Sequence, residues 1–253
     1  MKLSCFRLVI LAGAGLPLLH GASLAQNAAR AQAGSSSPAE TPVLVEMFLS
    51  QACSSCTAAA KLMPGLAARE DVVALSWHVD YWNRLNTKQG QWADPYSQAA
   101  YTVRQKTYNM HIRNRSSVYT PQVIIDGGWE TVGSSKAKIE TLIDAASKRD
   151  GRTAIKTSVE GNAFLFDVGE SDNGGNAMLV TFKKRVSTDI PRGENAGKTF
   201  DNAHVVTGVR PLGVVLKRGD VFTAERPAAG DGCALIIQEP TQARIIAAAY
   251  CPS

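Results

Sequence analysis

Two cysteines separated by two residues, Cys53 and Cys56, stand between an apolar segment and an Ala- and Leu-rich segment. Residues 43–48 are β-branched and apolar, which predicts a buried strand, and residues 57–69 predict a helix that Pro64 kinks. The local order is therefore strand, turn, Cys-x-x-Cys and helix. It predicts an α/β unit with the cysteine pair at the start of the helix.

The segments that follow complete this unit. Residues 72–79 form a continuous apolar run, which is typical of a strand that is parallel or central in a sheet covered on both faces. Residues 80–118 show no strand pattern and predict a mostly helical insertion. Residues 122–128 predict a strand ending in a hairpin turn, and residues 136–148 predict an amphipathic helix. We therefore expect an α/β domain over residues 42–150.

The pattern changes after Gly151, where short segments of alternating polar and apolar residues replace the helical patterns. Short strands at close spacing, with turn signals between them, indicate an all-β sandwich. We predict a small, sandwich-like, all-β C-terminal domain over residues 151–253.

The N-terminus has the composition of a secretory signal. Two basic residues precede an apolar run from Leu8 to Leu19, and small residues end the segment at Ala25. The run is shorter than the roughly 20 residues that span a bilayer, so no membrane anchor is expected after cleavage. We predict a signal peptide over residues 1–25, a disordered tether over residues 26–41, and a periplasmic or secreted protein.

Four cysteines remain once the predicted signal peptide, which carries Cys5, has been removed. An even number of cysteines in an oxidising compartment indicates disulfides. Of the three possible pairings, the most economical joins Cys53 to Cys56 and Cys233 to Cys251.

The second pair brackets two alternating segments near the C-terminus. When these are paired as antiparallel strands with Leu235 opposite Ala249, Cys233 falls opposite Cys251. A disulfide there would close a loop of about 18 residues and stabilise the fold by roughly 3 kcal/mol. We therefore predict a structural disulfide between Cys233 and Cys251.

The first pair has a position that suits redox chemistry. A helix N-terminus stabilises a thiolate and lowers the thiol pKa below its usual value of about 8.5. Cys53 is then the attacking and more exposed thiol, and Cys56 resolves a mixed disulfide. An inert disulfide and a metal site remain alternatives. Structural zinc needs four ligands, and the sequence offers few candidates beyond His78 and His111, so we assign no metal ligand. A dithiol with a nearby histidine does suit Cu(I).

Thr120 and Pro121 precede the predicted strand that begins at Gln122. In thioredoxin-like folds a cis-proline faces the dithiol, and the residue before it pairs with an extended substrate. A cis X-Pro bond costs only about 0.5–1 kcal/mol. We predict that the Thr120–Pro121 bond is cis and faces the cysteine pair; the alternative is a trans proline at a strand start.

Four separated segments carry a resemblance to a known family: VEMFLSQACSSC at residues 45–56, SWHVDYW at 76–82, SVYTPQ at 117–122 and IPRGENAGK at 190–198. Together they resemble the secreted bacterial family called domain of unknown function 1223, over about residues 42–250. The resemblance implies a thioredoxin-like fold with a C-terminal β region. It implies no assigned reaction.

Glu46 lies on the strand that leads to Cys53. A buried acid beneath a dithiol can relay a proton from the resolving thiol, so Glu46 is the candidate for this role. A strand alternates its faces, and a register difference of one residue would turn Glu46 away from the cysteines.

Farther along the chain, the polar segment Arg192-Gly193-Glu194-Asn195 is a second site or, as the sequence favours, an ion pair that fixes a loop.

The residues that end the second strand are candidates for the substrate surface. Ligands of α/β proteins bind at the carboxyl ends of strands, which predicts substrate contacts beside Thr120 and Pro121. The aromatic members of this set would otherwise pack the insertion against the sheet. The set consists of His78, Asp80, Tyr81 and Trp82.

Three functions follow from these residues. The first is a periplasmic thiol–disulfide oxidoreductase that needs no organic cofactor and acts on a thiol- or disulfide-containing protein or a small thiol. The second is a non-catalytic thioredoxin-like binding protein with a structural disulfide, and the third is a copper-handling factor. The net charge of +5 comes from scattered Lys and Arg residues, so no nucleic-acid partner is indicated.

Overall fold

The computed structural model describes residues 41–252. The predicted signal peptide, and the predicted tether up to residue 40, lie outside the described residues. The helices are α1 (Cys56–Ala60), α2 (Met63–Ala67), α3 (Ala99–Arg113) and α4 (Lys136–Ser147). The strands are β1 (Val43–Leu49), β2 (Val72–His78), β3 (Gln122–Ile125), β4 (Trp129–Val132), β5 (Ile155–Glu160), β6 (Ala163–Val168), β7 (Gly175–Ile190), β8 (Lys198–Val215), β9 (Asp220–Glu225), β10 (Asp231–Gln238) and β11 (Ile245–Tyr250).

Eight strands form one mixed sheet in the order β11-β10-β7-β8-β2-β1-β3-β4, and a separate three-stranded antiparallel sheet has the order β5-β6-β9. Strand β2 runs parallel to its neighbours β1 and β8, and the other adjacent pairs are antiparallel. The prediction of a mixed α/β fold is confirmed. The predicted parallel, central position of residues 72–79 is also confirmed.

Strand β1 separates two apolar cores because its side chains alternate between the two faces of the sheet. Val45, Met47 and Leu49 pack on one face together with both cysteines and the buried side chains of α1, α2 and α4. Leu44 and Phe48 pack on the other face against residues of α3. Every residue of β1 is buried, which accounts for its continuous apolar sequence.

The predicted helix of residues 57–69 is divided into α1 and α2. Pro64 lies in the first turn of α2, where a missing backbone N–H group costs no helical hydrogen bond. The predicted insertion is mostly helical, as expected, with a 3-10 turn at Tyr81–Arg84 followed by α3. No helix among residues 41–252 has the length and apolar character needed to cross a membrane.

The C-terminal region is formed by strands, as predicted, but its architecture differs from an independent sandwich. Strands β7 and β8 contain 16 and 18 residues, and together with β10 and β11 they extend the main sheet. Only β5, β6 and β9 form a second layer, which packs phenylalanines such as Phe166 against Leu235 and Ile237. The length of β8 is hidden in the sequence because Pro211 interrupts its pattern, and a register shift beside the Pro211–Met178 pair accommodates that proline.

Candidate functional site

Cys53 and Cys56 form a disulfide between the end of β1 and the start of α1, with their Cα atoms 5.4 Å apart. Both residues are 0% exposed. The expectation that Cys53 is the more exposed cysteine is therefore wrong for the disulfide form. The exposed residues of this turn are Ser54 and Ser55.

Two hydroxyl groups approach Cys53. Ser55 Oγ lies 3.2 Å from Cys53 Sγ, and Thr120 Oγ1 lies 3.3 Å from the same atom. Trp82 Nε1 donates a hydrogen bond of 2.6 Å to Thr120 Oγ1, which fixes the threonine side chain. No hydrogen bond to Cys56 Sγ occurs among the described residues. The two sulfur atoms therefore have different polar surroundings.

The Thr120–Pro121 peptide bond is cis, as predicted. Thr120 contacts the cysteine turn through its backbone as well, because its carbonyl accepts a hydrogen bond of 3.4 Å from Ser55 Oγ. Pro121 is buried while Thr120 is partly exposed. The segment lies against the cysteine pair, as the sequence predicts.

The connection between β7 and β8, residues 191–197, covers the cysteine turn. Asn195 is fully buried, and its Nδ2 donates to the carbonyl groups of Gln51 and Cys53 at 2.8 and 3.0 Å. Glu194 Oε2 accepts a hydrogen bond of 3.0 Å from the backbone N–H of Ser54. Glu194 and Asn195 do fix a loop, the one that carries the cysteines, but they do so through these hydrogen bonds. The predicted ion pair between Arg192 and Glu194 does not occur among the described residues.

A buried polar network continues from this turn toward β2. Asp94 accepts hydrogen bonds of 2.7 Å from the backbone N–H of Gln51 and from His78 Nδ1. Burial alone would raise the pKa of Asp94. The opposite effect of His78, through its charge and its hydrogen bond, and of two backbone N–H groups is larger, so the pKa of Asp94 lies below its usual value. The second ring nitrogen of His78 contacts Asn202 at 3.1 Å. The network holds the cysteine turn against the sheet.

The predicted role of Glu46 requires correction. Glu46 alternates with Val45 and Met47 on β1, so it lies on the face opposite to the cysteines. Its carboxylate is buried and pairs with Arg104 at 2.7 Å and with the hydroxyl of Tyr108. Glu46 therefore joins β1 to α3, and it is not placed to exchange a proton with Cys56.

The four residues predicted at the end of β2 have different surroundings. His78 is 0% exposed and bonded through both ring nitrogens, so it contacts neither a substrate nor a metal in this arrangement. Asp80 accepts a hydrogen bond from Thr102 on α3, and Tyr81 packs beside Trp82 with ring centroids 6.3 Å apart. Of the four, Trp82 makes the contact with Thr120.

The Cys233–Cys251 disulfide joins β10 to β11. The predicted register, with Leu235 opposite Ala249, is confirmed. Within residues 41–252 no group of three or more His, Cys, Asp or Glu side chains has a geometry that could hold a metal ion.

The structure therefore defines the class of this protein: a mixed α/β protein with a buried Cys-x-x-Cys disulfide at a strand-to-helix junction. Residues 44–238 match the family described as Protein of unknown function (DUF1223), and the chain belongs to that family. A crystal structure of a protein from Agrobacterium tumefaciens is similar over 83% of this chain and 93% of its own, with 26% sequence identity and a TM-score of 0.71. No curated protein matches the chain significantly.

Proposed function

We propose that this protein is a thiol–disulfide oxidoreductase with a thioredoxin-like arrangement of its cysteine pair. The observation that carries the proposal is the hydroxyl of Thr120, which donates to Cys53 Sγ at 3.3 Å. The hydroxyl of Ser55 lies 3.2 Å from the same sulfur atom, and in the disulfide form it donates to the Thr120 carbonyl. Hydrogen bonds to a charged group favour its charged form and would lower the pKa of a Cys53 thiol. Cys53 is thus the nucleophile, and Cys56 is the resolving thiol.

The reaction is a pair of thiol–disulfide exchanges. The Cys53 thiolate attacks one sulfur of a partner disulfide, which forms a Cys53–partner bond and releases the other partner sulfur as a thiolate. The Cys56 thiolate then attacks Cys53 Sγ, re-forms the Cys53–Cys56 bond and releases the second partner thiolate. The partner disulfide is reduced by two electrons and the cysteine pair is oxidised; in reverse, a partner dithiol is oxidised.

Access to the sulfur atoms requires a local movement, because neither cysteine is exposed in the disulfide form. The bonds from Glu194 to Ser54 and from Asn195 to Cys53 are the contacts that a partner must displace on one side. Thr120 lies on the other side, where its partly exposed backbone would pair with an extended partner segment. A thiol- or disulfide-containing protein or a small thiol, in the periplasm or outside the cell, fits this description.

The reduction potential of the Cys53–Cys56 couple tests the proposal. The oxidised protein would be equilibrated in glutathione buffers of graded potential, quenched with an alkylating reagent and analysed by mass mapping. We expect a midpoint above about −300 mV, since structural disulfides lie below that value. A midpoint below it would mean that the disulfide is structural, and the protein would then be a binding protein.

Glu194 provides a second test, because its carboxylate bonds to the backbone N–H between the two cysteines. A negative charge there disfavours a Cys53 thiolate and so stabilises the disulfide. In the Glu194→Gln variant we expect the equilibrium with glutathione to move about threefold toward the dithiol, an increase of about 14 mV at 29.6 mV per tenfold change. The difference should shrink at high salt, because Glu194 is exposed.

The matched control is Glu225→Gln, which removes an exposed carboxylate from β9. We expect this variant to keep the wild-type midpoint. Equal midpoints for Glu194→Gln and the wild type would contradict a tuning role for Glu194, whereas equal shifts in both variants would mean that only net charge matters.

A further inference from the structure

A cavity of about 360 Å³ lies on the C-terminal part of the main sheet. This volume falls within the range of small-molecule sites, about 300–1,000 Å³. Its walls include the aromatic rings of Phe164, Phe182 and Tyr250, and the Cys233–Cys251 disulfide. The cavity involves neither Cys53 nor Cys56, and the proposed function makes no use of it.

His204 lines this cavity in an unusual backbone conformation. Its φ is 50°, in the left-handed region that non-glycine residues rarely adopt. Residues held in such conformations cluster at ligand sites. The imidazole lies between Phe182 and Tyr250, with ring centroids 4.4 and 5.2 Å away.

The hydrogen bonds of His204 leave one nitrogen available. Nδ1 lies 3.0 Å from both the carbonyl oxygen of Ala74 and the hydroxyl oxygen of Tyr250. The Tyr250 hydroxyl donates its hydrogen to the Ala74 carbonyl at 3.2 Å, so both neighbours accept from Nδ1, and we assign the proton to Nδ1. Burial lowers the pKa of His204 below its usual value, and the nearby charge of Lys184 lowers it further, so the imidazole is neutral at pH 7. Nε2 is then an acceptor, and it makes no hydrogen bond within residues 41–252.

Positive charge dominates the polar lining. Lys184 lies two residues beyond Phe182 on β7, and both line the cavity. Arg226 also lines it, with its guanidinium carbon 5.4 Å from the centroid of the Phe164 ring. Neither cation forms a salt bridge with a described residue. The acidic residue of the lining, Asp231, is paired with Lys183 at 2.9 Å.

The Phe182 ring of the cavity wall packs directly on the backbone of β10. A Cβ atom on Gly232 would lie 2.4 Å from the Phe182 ring, so the aromatic wall can rest on this strand only where a glycine stands. Aromatic walls, two cations that form no salt bridge with a described residue and one neutral acceptor together match a planar anion that also carries a hydroxyl group.

We propose that this cavity binds a small hydroxylated aromatic carboxylate. The aromatic ring of the ligand packs among Phe164, Phe182 and Tyr250, where contacts between aromatic rings add to the effect of burying apolar surface. Arg226 and Lys184 bind the carboxylate, and His204 Nε2 accepts the hydrogen bond of the hydroxyl group. No redox step is involved, and the site is independent of the Cys53–Cys56 pair.

The test uses the oxidised full-length protein and titration calorimetry with 4-hydroxybenzoate. The comparison ligands are 4-hydroxybenzylamine, which reverses the charge, and benzoate, which lacks the hydroxyl group. We expect the amine to bind more weakly than the acid by about tenfold or more. Arg226 and Lys184 repel the positive charge of the amine, whereas they attract the carboxylate of the acid. Benzoate should bind severalfold more weakly than 4-hydroxybenzoate, because Nε2 then has no donor.

Three variants separate the roles of the lining residues. Arg226→Gln should weaken 4-hydroxybenzoate about tenfold. Arg185→Gln, adjacent to Lys184 on β7 but outside the lining, removes an exposed cation that forms no salt bridge with a described residue, and it should leave the affinity unchanged. His204→Asn retains a residue that tolerates positive φ and should abolish the preference for 4-hydroxybenzoate over benzoate. The melting temperature of each variant shows that the fold is retained.

Three results would overturn the proposal. One is the absence of binding by the acid at millimolar concentration, and another is equal affinity for the acid and the amine. The third is an equal loss of affinity in Arg226→Gln and Arg185→Gln, which would show that binding follows net charge instead of the cavity.

Discussion

Replacing Cys56 with serine should convert the protein into a trap that holds its partner through a disulfide at Cys53. The first exchange needs only the Cys53 thiolate, and the second needs the thiol at position 56 to release the partner. Incubation of reduced Cys56→Ser protein with oxidised glutathione should therefore yield a stable adduct at Cys53, whereas the wild type under the same conditions should show the internal disulfide and no lasting adduct. Mass spectrometry of the intact protein and of its peptides measures both products.

The reciprocal variant identifies the nucleophile. Cys53→Ser should form no adduct at physiological pH, and its exchange rate should fall by about 10³-fold or more, as expected when a nucleophile is removed. The hydroxyls of Ser55 and Thr120 approach Cys53 Sγ, so the remaining Cys56 thiol lacks the donors that favour a thiolate. Adduct formation at Cys56 in Cys53→Ser, at the rate seen at Cys53 in Cys56→Ser, would refute the assignment of roles.

The sequence predicts the parts of the fold that depend on local pattern. The apolar runs of β1 and β2 are buried on both faces, so their composition alone indicates central strands. The register of β10 and β11 follows from alternation on both sides of the Cys233–Cys251 pair. The β7–β8 hairpin is different, because bulges and Pro211 break the period that a long strand would otherwise show.

The site depends on contacts that no local pattern records. Glu46 is correctly predicted to be buried, but the alternation of β1 places it against Arg104 on the far face. Asp94 and Asn195 reach the cysteine turn from positions 43 and 144 residues away from Gln51. The positions of Asp94 and Asn195 in the sequence do not show that they contact Gln51. That contact depends on the sheet, which brings β2, β8 and the β7–β8 connection together beside the cysteine turn. The resemblance over residues 190–198 was the one sequence signal for Asn195 and Glu194.

The two disulfides should make unequal contributions to stability. Cys233 and Cys251 are 18 residues apart, and closing a loop of that size stabilises a fold by about 3 kcal/mol. For a protein of this size, about 2–4 °C are lost per kcal/mol, so replacing both cysteines with alanine should lower the melting temperature by about 6–12 °C. Thermal unfolding followed by circular dichroism measures the change.

The matched variant replaces Cys53 and Cys56 with alanine. These cysteines are three positions apart in the sequence, and the same loop relation gives only about 2 kcal/mol. Both pairs contain buried sulfur, so lost packing contributes to each variant and largely cancels in the comparison. We expect the Cys53/Cys56 variant to retain the higher melting temperature of the two.

The order of reduction follows from the same difference and connects stability to function. Opening Cys233–Cys251 frees the hairpin, and no hydroxyl donor contacts either sulfur among the described residues. Opening Cys53–Cys56 forms a Cys53 thiolate that the Thr120 hydroxyl stabilises by donating to it. This stabilisation of the reduced form makes Cys53–Cys56 the stronger oxidant of the two disulfides. In a graded glutathione titration the Cys53–Cys56 bond should therefore open first, with the melting temperature little changed, and Cys233–Cys251 should open at a lower potential with the larger thermal loss. If Cys53–Cys56 is the last to open, or if both open together, the donor at Cys53 does not poise a redox centre and the pair holds the turn in place as a structural disulfide.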